Sequence, residues 1–199
     1  MKKKYYLLSI ILLNLFIVGC DTNDATFYKD VFITAPNLVR IETSPIGYNV
    51  NDKIYINCYI GRLLNVPNQN NLLDVRKSTG YAEKFSFSYL LEKKINATDW
   101  EIIDVNPTAI DVTSGSIFGG IFYYASAHFY PSSDGYEFRA GLPLTSSGEY
   151  RISFGYNSSS GQTIELRSES VNNNLFLNIN TTEVNGNLDA DGFYYFTVL

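Results

Sequence analysis

The side chains that most often carry catalysis are scarce in this 199-residue chain. It holds one histidine, His128, and two cysteines, Cys20 and Cys58. In Ala125-Ser126-Ala127-His128-Phe129-Tyr130, strand alternation places His128 with Phe122, Tyr124 and Tyr130. That pattern predicts a hydrogen-bonded histidine on an aromatic face rather than a base or a ligand. Cys58 alternates with Ile54, Ile56 and Ile60. A free cysteine in such company behaves as a small buried hydrophobe, and nothing beside it in sequence would lower its pKa. No nucleophile elbow, phosphate-cradling glycine loop, zinc spacing or dinucleotide fingerprint occurs. The expectation is therefore no catalytic residue. An envelope hydrolase is the alternative, since paired carboxylates meet in space and not in sequence.

One motif has metal-ligand spacing. Asn187-Leu188-Asp189-Ala190-Asp191-Gly192 matches the opening of a calcium loop, with oxygen ligands Asn187, Asp189 and Asp191 on alternate residues and a glycine for the sharp turn. The closing bidentate glutamate is missing, because Val198 stands at that place. A plain hairpin loop of turn-forming residues is the stronger reading, and calcium is the one cofactor with a candidate site. Tyr123-Tyr124 and Phe129-Tyr130 are a candidate stacking platform for a glycan or protein ligand, within a chain of 16 Tyr, 13 Phe and 1 Trp.

The elements that must position these residues read as strands. Tyr, Phe and Thr favour a pleated surface. Period two runs through Phe85, Phe87, Tyr89 and Leu91, through Tyr150, Ile152, Phe154 and Tyr156, through Leu175, Leu177 and Ile179, and through Tyr194, Phe196 and Val198. Further strands are expected at 30–34, 38–43, 99–105, 117–130, 136–142 and 162–167. The stretch 61–83 lacks a period and reads as a long loop or a short helix. Pro-, Gly-, Ser- and Asn-rich breakers separate the runs, as in an antiparallel sandwich or barrel. Ser147-Gly148-Glu149-Tyr150 and Asp191-Gly192-Phe193-Tyr194 share a G-x-Y step. It resembles the tyrosine corner of immunoglobulin-like sandwiches, in which the hydroxyl bonds upstream backbone. A glycine turn feeding an aromatic strand explains it equally well.

The N-terminus supplies an address. Lys2, Lys3 and Lys4 precede an apolar run from Tyr5 to Val18, shorter than the roughly 20 residues of a membrane span. Ile17-Val18-Gly19-Cys20 resembles a lipobox, the motif of lipoprotein precursors that are acylated on the cysteine sulfur and cut before it. One acyl chain holds a membrane only marginally, and stable anchoring takes two or more. Loss of residues 1–19 removes three lysines and no acid, taking the net charge from −5 to −8. An acidic chain without a basic cluster speaks against nucleic acid.

The layout resembles small uncharacterised lipoproteins of Bacteroidetes-type bacteria, through Tyr48-Asn49-Val50-Asn51-Asp52-Lys53-Ile54-Tyr55-Ile56, Leu73-Asp74-Val75-Arg76-Lys77-Ser78-Thr79-Gly80, and Ala140-Gly141-Leu142-Pro143-Leu144 leading into Gly148-Glu149-Tyr150-Arg151-Ile152. The resemblance implies a β-sandwich lipoprotein and no activity. In that group acidic residues after the lipidated cysteine, here Asp21 and Asp24, accompany display on the outer surface. The expectation is an all-β, antiparallel, immunoglobulin-like β-sandwich. Residues 1–19 are its signal peptide, 20–26 a lipidated cysteine and tether, and 27–199 a single domain. It is placed in the cell envelope, at the outer membrane, lipid-anchored at Cys20, binding or displaying a glycan or protein ligand. A structural subunit of a surface assembly, docking through an exposed strand edge, is a further alternative.

Overall fold

A computed structural model describes residues 30–120, 122–154, 163–169, 174–180 and 188–199. Cys20, the leader before it, the tether and Asn187 lie outside these residues. The chain is all-β, with 56% strand and no helix of seven or more residues among those described. The alternating runs account for this. Each turns one parity of its side chains toward the core, and only one helical turn, Val75–Ser78, and one 3-10 turn, Pro107–Ala109, interrupt the described strands.

Among the described residues fifteen strands form in chain order. They are β1 (Val31–Thr34), β2 (Val39–Glu42), β3 (Lys53–Gly61), β4 (Leu63–Leu64), β5 (Leu73–Asp74), β6 (Lys84–Lys94), β7 (Trp100–Ile102) and β8 (Asp111–Ser114). β9 (Ser116–Phe118), β10 (Tyr123–Tyr130), β11 (Gly135–Pro143), β12 (Gly148–Ser153), β13 (Thr163–Ser168), β14 (Leu175–Asn180) and β15 (Phe193–Val198) follow. Eight of them make a curled, open sheet, a half-barrel, in the order β1-β14-β13-β6-β10-β11-β3-β2. β1 runs parallel to β14, and the other neighbours on this path are antiparallel.

β6 organises the molecule by changing partners along its length. Its first half pairs β10 on one edge, with β13 meeting Phe85 and Ser86 on the other. Its second half pairs β12 from Leu90 to Lys93 and β7 from Glu92 to Lys94. β15 then adds to β12. This branch turns back on the main sheet through a parallel bridge between Val198 and Tyr48, where the Leu199 amide donates to the Tyr48 carbonyl at 2.9 Å.

The core fills the concave side. Phe85, Phe87, Tyr89 and Leu91 of β6 point into it, all 3% exposed or less, as the alternation predicts. Phe87 packs edge-on to Phe138 at 5.5 Å, Phe85 edge-on to Tyr136 at 4.9 Å, and Tyr89 stacks on Tyr123 at 5.4 Å. Buried tyrosines usually find partners for their hydroxyls, and of these three only Tyr89 has none. Tyr136 donates to the Ala82 carbonyl at 2.8 Å, and Tyr123 donates to the Ile103 carbonyl at 2.7 Å.

Several expectations change in detail. The run 117–130 is two strands, because Gly119 and Gly120 break it and β9 folds back antiparallel on β10. β8 lies where no strand is expected. The stretch 61–83 is a two-residue ladder, β4 with β5, followed by the helical turn.

Tyr150 forms a tyrosine corner. Its hydroxyl donates to the Ser146 carbonyl at 2.8 Å, four residues upstream, and Gly148 supplies a φ of +141° between them. Tyr194, in the second G-x-Y copy, sets its hydroxyl beside that of Tyr48 instead, and burial together with that neighbour pushes the Tyr48 phenol up. Tyr48 makes a related closure, accepting from the Ser44 amide at 3.3 Å and donating to the Glu42 carbonyl at 3.0 Å.

Candidate functional site

Across β6, residues of even number face away from the core. From Glu92 to Lys94 that outward face is joined by Trp100 and Ile102 of β7, Glu149 and Arg151 of β12, and Phe193 and Tyr195 of β15, as the registers require. Arg151 lies at its centre. Its Nε and Nη2 donate to the two Glu92 carboxylate oxygens at 2.7 and 2.9 Å. Its guanidinium sits 4.4 Å from the Trp100 ring centre and 4.2 Å from that of Phe193. Such planar stacking together with a two-pronged carboxylate bond suits arginine and not lysine. Tyr195 meets Trp100 edge-on at 5.6 Å and is 49% exposed. Lys94, ion-paired with Glu149, stands 5.9 Å from the Trp100 ring. Lys94, Trp100, Glu149, Tyr195 and Thr197 border a shallow cleft of about 210 Å³.

The arrangement is an amphipathic surface held rigid by its own pairs. The side chains are ordered before any ligand arrives, which cuts the entropic cost of binding. Trp, Tyr and Arg are also the residue types in which binding energy concentrates. The four charges of Glu92, Lys94, Glu149 and Arg151 form two opposite pairs, so they neutralise one another on this face.

Farther along the same face of β6, β13 pairs only with Phe85 and Ser86, and β12 begins at Leu90. Ser88 falls at the handover. Ser86, Ser88, Tyr124, Glu165 and Arg167 line a second cavity there, of about 280 Å³. The Ser86 hydroxyl bonds Ser126 at 2.9 Å and Glu169. Glu169 also pairs with Lys84 at 2.8 Å and accepts from the Tyr124 hydroxyl at 3.2 Å. Burial works to raise its carboxyl, but those bonds outweigh burial and hold it below the ordinary value. At Glu165 burial wins over the attraction of Arg167, and the carboxyl is pushed up. The Ser88 hydroxyl is buried without a hydrogen-bond partner.

The residues singled out in the sequence are distributed differently. Cys58 is 1% exposed, flanked by buried Ile56 and Ile60, and burial pushes its thiol pKa up, so it has no nucleophilic character. His128 is half-buried and its Nε2 lies 3.0 Å from the Ser116 hydroxyl. It faces outward opposite Glu137, whereas Cys58 faces inward opposite Phe138, so the two never meet. The expected platform at 123–130 does not assemble. Tyr123 is fully buried, the Arg76 guanidinium covers Phe129 at 3.6 Å, and the Tyr130 hydroxyl accepts the Gly115 amide at 3.0 Å.

In the calcium-like loop, one Asp189 carboxylate oxygen accepts the amides of Asp191 and Phe193 at 3.0 and 2.8 Å, closing the hairpin into β15. Asp191 is exposed. Among the described residues no three His, Cys, Asp or Glu side chains converge as a metal site.

Sequence reasoning missed the Trp100 face. A signal was present in Phe193-Tyr194-Tyr195-Phe196, where consecutive aromatics force two of the four outward whichever face is buried. No family model, curated protein or solved structure matches this chain. Among the described residues no helix is long and apolar enough to cross a membrane, which leaves membrane-spanning strands unaddressed.

Proposed function

We propose that this chain is a cell-envelope lipoprotein, held at the outer membrane by lipid on Cys20, whose β-domain is a non-catalytic binding module. The lipobox-like Ile17-Val18-Gly19-Cys20 and the resemblance to Bacteroidetes-type lipoproteins support the anchor. The Tyr150 corner supports an immunoglobulin-like sandwich, since that device belongs to such folds.

The exposed face around Trp100 carries the binding reading, because it presents the chain's single Trp beside Tyr195 on a rigid support. Strand-edge assembly is less favoured. The end strands β1 and β2 have four residues each, and short edges are poor templates for pairing.

Two variants test the proposal. Cys20→Ser should lose acyl labelling and leave the membrane fraction, and a variant still lipidated would refute the anchor. On glycan and peptide arrays, Trp100→Ala should erase the signal that the unmodified protein gives while the variant still unfolds cooperatively, at a lower temperature because Arg151 loses one of its rings. An unchanged array profile would dismiss this face. Release of new reducing ends from a bound glycan would replace the binding reading with a hydrolase.

A further inference from the structure

The cavity at Ser88 and the Trp100 face belong to one surface of one strand. Ser88, Leu90, Glu92 and Lys94 share the outward side of β6. At roughly 3.3 Å per residue, Ser88 lies about 13 Å from Glu92 and about 20 Å from Lys94.

The chemistry of the cavity is selective. The two hydroxyls of Ser86 and Tyr124 are bonded to Glu169, which fixes them, and the Ser88 hydroxyl has no partner. A buried hydroxyl without a partner costs free energy that a ligand would recover. Glu165 accepts, Arg167 donates, and hydroxyls do both. Lys84 and Arg167 balance Glu169 and Glu165, so neither an anion nor a cation is favoured. Apart from Phe87 and the Tyr124 ring the lining residues are polar, which disfavours a wholly apolar ligand. Its volume of about 280 Å³ sits at the lower edge of small-molecule sites, roughly 300–1,000 Å³. What fits is a neutral, compact molecule bearing several hydroxyls.

We infer that the Ser88 cavity holds one sugar unit of an extended, uncharged glycan whose neighbouring units lie along β6 and reach the Trp100–Tyr195 face. This rests on the binding reading above and names the ligand class for it. The spacing asks for a chain of several units. A single sugar can occupy only the cavity, out of reach of the aromatic rings.

Trp100 is the only tryptophan, so its fluorescence reports contact with the aromatic end directly. The experiment titrates the full-length, detergent-solubilised protein with maltohexaose, cellohexaose, xylohexaose and mannohexaose, and with glucose, xylose and mannose. At least one hexaose should change Trp100 emission, and its monosaccharide should leave emission unchanged. Ser88→Ala should weaken that hexaose about fivefold to tenfold, the loss of one good hydrogen bond. Because the Ser88 hydroxyl is buried and unpartnered, this variant should hold or raise its melting temperature, so weaker binding reports on the ligand. Ser88→Leu, which fills the cavity, should abolish binding.

If a hexaose binds, Trp100→Ala abolishes its binding by titration calorimetry and both Ser88 variants bind normally, the cavity assignment is wrong and the aromatic face stands. A tryptic casein digest that changes Trp100 emission when no hexaose does would overturn the glycan class and keep the face. No response to any of these, with Trp100→Ala equally inert on arrays, sinks both.

Discussion

Two places in this molecule use the same device to opposite effect. At Arg151 an arginine grips Glu92 with two bonds and covers aromatic rings. At Arg139 the same grip holds Glu42 at 2.8 and 2.7 Å, with the guanidinium 4.0 Å from the Tyr55 ring. The surroundings differ. The side chains of Arg151 and Glu92 are 19% and 11% exposed, against 33% and 38% for Arg139 and Glu42. Arg151 has rings of two strands over it, Trp100 and Phe193. Tyr55 sends its hydroxyl to Asp111 at 2.8 Å, into a network with Lys53. One cluster is a rigid floor beneath exposed aromatics, and the other is a solvated polar lattice on β2, β3 and β11. The chemistry of the pair is common to both, and desolvation decides what it does.

The largest effect should come from Arg151→Ala. It strands the Glu92 carboxylate in a mostly dry place and removes the cation from two rings, a loss of about 3 kcal/mol by urea unfolding. Arg139→Ala should lose about 1 kcal/mol or less, because its partners remain hydrated. Equal losses would end the distinction between the two clusters.

High salt sharpens it next. Screening reaches exposed charges first, so added sodium chloride should shrink the Arg139→Ala difference more than the Arg151→Ala difference.

Acid gives a smaller test. The hydrogen bonds from Arg139 hold the Glu42 carboxyl below its ordinary value of 4.5, against the opposing effect of burial. The folded state therefore takes up this proton less readily than the unfolded chain. The contribution of the pair is complete above pH 4.5 and is lost as pH falls through the lower folded value. In Arg139→Ala the unfolding midpoint should vary less steeply with pH below that point. An unchanged slope would mean that Arg139 is not the cause.

The smallest expected effect is at the Asp189 hairpin. There the Asp189 carboxylate serves backbone amides, and melting temperatures with calcium and with chelator should coincide. A calcium-dependent rise would establish the loop as a metal site.

How much of this was legible depends on the range of the interactions. Alternation in Phe85, Phe87, Tyr89 and Leu91, and around Cys58, predicts which side chains are buried, because a strand has a period of two whatever it pairs with. Gly148 and Tyr150 allow a corner closed within four residues, and in this copy the hydroxyl takes it. The two G-x-Y copies diverge because Tyr194 finds Tyr48, a residue far away in sequence. The platform at Tyr123 and Phe129 failed for the same kind of reason. Its rings meet Tyr89, Tyr136 and Arg76 from distant segments.

By itself the sequence determined the all-β class, the inward parity of β3 and β6, and the scarcity of histidine and cysteine, and it offered the corner at Tyr150 as one of two readings. These follow from local periodicity, turn chemistry and composition. Only the tertiary structure decided that β6 exchanges β13 for β12 at Ser88, opening a cavity beside an unpartnered hydroxyl. It also brought Trp100, Arg151 and Tyr195 together from three strands. Pairing partners and register are set by which surfaces bury one another, and no stretch of residues carries that information alone.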